Sequence, residues 1–236
     1  VFYNTHWSCI INIAVVRMTT ICRINKEVVM SKQKGYIGTA FEERIIQAKT
    51  GLSKSQTGIK NNSIHDIPAG TYVSNNGVNV VTKNVSCKAT KDNSVDCGDI
   101  SRFFNETTKD EDLEIVVGEY EKSRNVASFN KITVFSISKE HQKTLWGGIS
   151  SGVLNEFDEY VKSIPHGRAG QEANIQVWKD KRQAIYDTYN QGKMKIAAKI
   201  DKKKQRRVQC TFNIKDMIEA GIPYDVYTDQ YEGIKI

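Results

Sequence analysis

Asn84-Val85-Ser86-Cys87-Lys88-Ala89-Thr90 alternates apolar Val85, Cys87 and Ala89 with polar Ser86, Lys88 and Thr90. A period of two is the signature of a β-strand, so Ser86 and Lys88 are expected side by side on its polar face. Just upstream, Asn75-Asn76-Gly77 separates the strand-like runs 71–73 and 78–81, a strong hairpin signal. Downstream, Asp99 opens a short predicted helix through Phe104. Residues 113–120 and 132–137 are then β-branched, apolar runs of the kind that fill a sheet buried on both faces.

Helices bracket these strands. Residues 39–49 predict the first, with Phe41, Ile45, Ala48 and Leu52 on one stripe. Thr39 and Glu42 stand at capping-box spacing, and Gly51 marks the end. Residues 53–70 read as a polar loop. Residues 152–164 and 171–189 predict two further helices, with Trp178, Ile185 and Tyr189 on a core-facing stripe of the second. Strand character returns at 194–200 and 208–212 around Lys202-Lys203-Lys204-Gln205. The expected class is α/β (α+β): a central mixed β-sheet flanked by helices, with a basic C-terminal β-hairpin.

That hairpin carries nearly all the charge imbalance. Between Lys193 and Lys215 stand nine basic residues against one acid, Asp201, on a chain whose net charge is +7. The rest is close to neutral, so a polyanionic partner is expected at this one place. Lys202, Lys203 and Lys204 suit phosphates. Gln205, Arg206, Arg207 and Gln209 add forks and amides that also read base edges. A solvated hairpin tip is the plain alternative.

Ser86 and Lys88 invite a catalytic reading as well. A lysine in that setting can orient or deprotonate a water, or stabilise charge building on a phosphate. Such a site needs carboxylates to hold a hard divalent ion. Asp66, in the loop entering the hairpin, and Glu42, at the border of the buried helical stripe, are the candidates. Each residue also has a structural reading: Lys88 a solvated strand lysine, Asp66 a turn cap, Glu42 a capping-box partner.

Glu42 on a helix, then Asp66, then Val85-Ser86-Cys87-Lys88, then helix and strands, resembles the PD-(D/E)xK nuclease superfamily, whose best-known members are type II restriction endonucleases. The resemblance covers residues 38–137. It implies a restriction-endonuclease-like core that uses Mg2+ to hydrolyse phosphodiester bonds of double-stranded DNA at a short specific sequence, acting as a homodimer. Lys88 matches the motif lysine, Asp66 the motif aspartate and Glu42 the helix acid. Ser86 stands where an acid is usual, and some restriction enzymes of the family with serine there recruit a displaced acid from the following helix. Here that acid would be Asp96 or Asp99. The resemblance thus assigns Lys88, Asp66 and Ser86 to catalysis, and Asp66, Glu42 and Asp99 to the metal.

A DNA- or RNA-binding protein without catalysis, acting through residues 193–215, is the alternative. A component of a viral or ribosomal particle is a third reading. Five widely spaced cysteines with no CxxC pair argue against a zinc ribbon or a disulfide scaffold. The apolar run 9–16 is too short to span a bilayer, and an intracellular, cytoplasmic protein is expected. Residues 1–29 are expected to be an extension outside the functional fold, and residues 30–236 one nuclease-like domain with its C-terminal helices and basic hairpin over 150–236.

Overall fold

The computed structural model describes residues 36–60, 63–108, 112–123, 126–165, 168–200, 205–228 and 234–235. The expected extension 1–29 and the turn lysines Lys202, Lys203 and Lys204 lie outside the described residues. The chain runs α1 (Tyr36–Thr50), α2 (Lys54–Thr57), β1 (Gly70–Ser74), β2 (Gly77–Val81), β3 (Asn84–Thr90), β4 (Ser94–Asp99) and α3 (Ile100–Thr108). It continues with β5 (Leu113–Ser123), β6 (Val126–Ile137), α4 (Gln142–Trp146), α5 (Ser151–Ser163), α6 (Arg168–Tyr189), β7 (Lys195–Ile200) and β8 (Arg206–Asn213). It closes with α7 (Ile214–Glu219), β9 (Tyr224–Thr228) and β10 (Ile234–Lys235).

Three sheets form. The largest is mixed, in the order β10-β6-β5-β3, with β9 also paired to β6. β3 and β5 run parallel, with Ser86 opposite Ile115 and Lys88 opposite Val117. β5 and β6 run antiparallel. The second sheet, β4-β8-β7, is antiparallel, and its β7–β8 pair is the expected basic hairpin. The third is the β1–β2 hairpin, closed at the predicted Asn-Asn-Gly. The fold is therefore the expected mixed α+β class, with helices packed on sheet faces.

The large sheet is buried on both faces because its central strands are apolar at successive positions. Leu113, Ile115 and Val117 join a core built with Phe103, Trp146, Phe157 and the inner face of the β4-β8-β7 sheet. Val116 points the other way, into a second core with Phe41, Ile45, Ile46, Val85 and Phe129 under α1. Parallel register sends Ser86 and Lys88 to the first core and Val85 and Cys87 to the second.

Gly118 is fixed by the second core. A Cβ there would lie 2.5 Å from the Phe41 ring and 2.6 Å from that of Phe129, two rings stacked at 4.7 Å. Gly118→Ala must part that stack, so a loss of roughly 1–3 kcal/mol is expected, read as a lower midpoint in thermal unfolding.

Several sequence expectations are corrected. The described part of α1 already includes Tyr36, so Thr39 lies inside the helix and cannot cap it. β4 was not expected at all; it forms because Val95 and Cys97 are buried against β8. α3 runs four residues beyond Phe104, to Thr108, since Glu106 and Thr107 are buried along with its aromatic residues.

Candidate functional site

The polar half of β3 converges with a loop and a helix. Ile67 bridges to Val85, and the amide of Asp66 donates to the Val85 carbonyl at 3.0 Å. This short pairing pins the loop to the strand edge. There Asp66 Oδ2 accepts the Cys87 amide at 2.7 Å and lies 3.8 Å from Lys88 Nζ. Lys88 Nζ also donates to Ser86 Oγ at 2.8 Å, the same-face contact that strand periodicity dictates. Twenty residues apart in sequence, Asp66 and Ser86 become partners of one ammonium.

A further acid completes the cluster. Glu106, on the last turn of α3, is 2 % exposed. Its Oε1 accepts from Arg102 Nε at 2.9 Å, one helical turn earlier. Its Oε2 is buried with no hydrogen-bond partner among the described residues. Arg102 spans both acids, because its Nη2 lies 3.5 Å from Asp66 Oδ1. The guanidinium also donates to the Ile64 carbonyl, through Nη2 at 2.9 Å and Nε at 3.2 Å, fastening α3 to the Asp66 loop.

Electrostatics tie the four groups together. Burial pushes the Glu106 carboxyl above its ordinary range, against the downward pull of Lys88 and Arg102. Burial lowers Lys88, but Asp66 first and then Cys97 and Glu106 raise it, and the balance lies above the ordinary lysine value. Lys88 is therefore a half-buried, charged ammonium, 3.8 Å from Asp66 and within the field of Glu106. Such a group stabilises anionic charge well and, in this state, accepts no proton.

The other expected acids are elsewhere. α1, which bears Glu42, packs on the Val85–Cys87 face, opposite Lys88, and the Glu42 carboxylate is held by Lys54 Nζ at 2.6 Å. It reaches β3 only as a charge that raises the Cys87 thiol, after burial and Asp66. Asp99 caps α3 through the Arg102 amide at 3.0 Å, and exposed Asp96 accepts the Gly98 amide at 2.8 Å. Glu106 escaped the sequence reading because the polar tail Asn105-Glu106-Thr107-Thr108 looked like the end of the helix. An acid at i+3 from Phe103, within a buried stripe, was the available signal. Among the described residues no group of three His, Cys, Asp or Glu side chains is arranged to hold a metal ion.

In the basic segment, the expected base reader Arg206 is engaged by the fold. It donates to the carbonyls of Ile164 (3.2 Å) and Pro165 (3.0 Å), closing the end of α5. Gln205 is exposed, while Arg207 and Gln209 lie half-buried on the opposite face of β8 from Val208 and Cys210. No described helix is long and apolar enough to cross a membrane.

Arg102 sits where two acids would otherwise repel. Arg102→Ala is expected to lower the melting temperature by roughly 2–4 °C per kcal/mol lost. Differential scanning fluorimetry of the variant beside the wild type would show it.

No protein-family model matches the chain, and no curated protein matches it. Among solved structures it is similar to the tetrameric restriction endonuclease SfiI bound to cognate DNA. That similarity covers 93% of this chain and 87% of the other, at 10% identity and a TM-score of 0.45.

Proposed function

We propose that the chain is a magnesium-dependent endonuclease that hydrolyses phosphodiester bonds of double-stranded DNA at a short specific sequence. One observation carries this reading: a charged, half-buried Lys88 pairs with Asp66 and lies within the field of Glu106, with one Glu106 oxygen buried and without a donor. A carboxylate oxygen left bare in a protein interior is costly. A hard cation is the partner that such an oxygen fits.

Asp66 and Glu106 would hold the ion. Two carboxylates suffice for magnesium, which keeps waters and takes phosphate oxygens for its remaining positions. When bound it would supply charge neutralisation at the phosphate and a more acidic water. Glu106 thus takes the place that Asp96, Asp99 or Glu42 was expected to fill, and Ser86 serves by fixing the Lys88 ammonium. Lys88 points its charge at the phosphate oxygens and orients the attacking water. Cleavage at a palindrome by a twofold dimer belongs to the same proposal.

The test is incubation with long mixed-sequence duplex DNA in magnesium, then in chelator. Discrete fragments that need magnesium are expected. DNA shifted in a gel but uncut under both conditions would sink the nuclease and favour the binding-only protein.

A further inference from the structure

The β4-β8-β7 sheet turns Val208, Cys210 and Phe212 into the core and leaves its other face polar. On that face the register sets Lys199 directly opposite Arg207, and Lys195 opposite Thr211. Directly opposed residues on antiparallel strands bring their side chains within about 5 Å at Cβ, and like charges so placed oppose folding. A sheet avoids that arrangement unless something answers it.

No described side chain does. Lys195 has Asp216, 3.5 Å away. The two acids β4 brings to this sheet cap backbone amides: Asp96, opposite Thr211, that of Gly98, and Asp99, opposite Gln209, that of Arg102. Neither Lys199 nor Arg207 has an ion pair or side-chain hydrogen bond among the described residues, and Arg207 Nε is buried with no acceptor. A buried guanidinium nitrogen without an acceptor, beside a second unanswered cation, describes a site for an anion.

We infer that Lys199 and Arg207 clamp a backbone phosphate of duplex DNA on the outer face of this sheet, away from the Lys88 cluster. This rests on the nucleic-acid substrate proposed above and names where that substrate is gripped. The chemistry is that of a phosphodiester oxyanion: Arg207 offers a planar fork, and Lys199 a point charge from the next strand. Phosphate contacts position a duplex without reading it. The clamp therefore sets register, and it needs no metal.

The test is fluorescence anisotropy of a short labelled duplex in chelator, titrated at several salt concentrations. The wild type is compared with Lys199→Thr/Arg207→Thr and with Lys179→Ala, an exposed α6 lysine as control. Expected for the double variant are about tenfold weaker binding and a salt slope shallower by about one, to the same degree for duplexes of different sequence. Its melting temperature should equal or exceed the wild type's, since the opposed charges are gone. A double variant that binds as tightly, with the same salt slope, overturns the clamp whether or not the protein cuts DNA. So does a wild type that binds no duplex. Wild type that binds through these residues yet never cuts in magnesium keeps the clamp and removes the nuclease.

Discussion

Lys88→Ala leaves duplex binding within a few-fold of wild type and lowers magnesium-dependent cleavage by about 10²–10⁴-fold, the range for removing a positioned charge or proton-transfer group. Two features make the loss large. The Lys88 side chain is only 14 % exposed, so its field on a phosphate is weakly screened. It is also held at 2.8 Å by Ser86 Oγ and faces Asp66 at 3.8 Å, so no reorganisation is needed when charge develops. Stability moves less, because Arg102 still faces Asp66 after the lysine is gone. Gel cleavage and thermal melting on the same preparations separate the two effects. An alanine variant that cuts like wild type would remove Lys88 from the chemistry.

Glu106→Gln separates function from stability in the opposite direction. Cleavage falls by on the order of 10²–10³-fold, because one of the two carboxylates proposed to hold the ion loses its charge, while the protein melts higher at neutral pH. The sign follows from the carboxyl lying above its ordinary value in the fold, chiefly through burial. A carboxyl raised in the native state favours folding only when protonated, so that contribution is lost as pH rises through the native value. At neutral pH the buried charge is a cost, and glutamine of the same shape removes it while still accepting from Arg102. The gain of a few degrees should shrink as pH falls toward the free carboxyl value of about 4.3. Parallel melting curves at neutral and acid pH would check it, and a variant less stable at neutral pH would contradict it.

How much of this was legible in the sequence depends on the range of the interactions. β3 has the limits its alternation dictates, and the Ser86–Lys88 contact follows from local geometry alone. The β1–β2 hairpin was equally local. Asp66 could be named as a candidate, but its place beside Lys88 depends on the Ile67–Val85 bridge, a tertiary pairing with no local signal. Glu106 needed both the length of α3 and the burial of its last turn, which Trp146 helps to determine from afar; Trp146 Nε1 donates to Thr107 Oγ1 at 2.9 Å. β4 stayed hidden because Ser94-Val95-Asp96-Cys97 becomes a strand only where β8 offers a partner. Arg206 shows the reverse case. Its charge suggested a ligand, but the C-terminus of α5 uses its donors. Lys199 was only one charge in the basic run, and the register alone sets it against Arg207.

The central claim is that Asp66 and Glu106 together hold one divalent ion beside Lys88. Titration of the chain with Mn2+, followed by electron paramagnetic resonance with and without duplex DNA, addresses it directly. The account predicts one tightly bound ion per chain in the wild type, weakened at least about tenfold in both Asp66→Asn and Glu106→Gln, with folding verified by melting. No bound ion in the wild type under either condition, or binding unchanged by both substitutions, would contradict it.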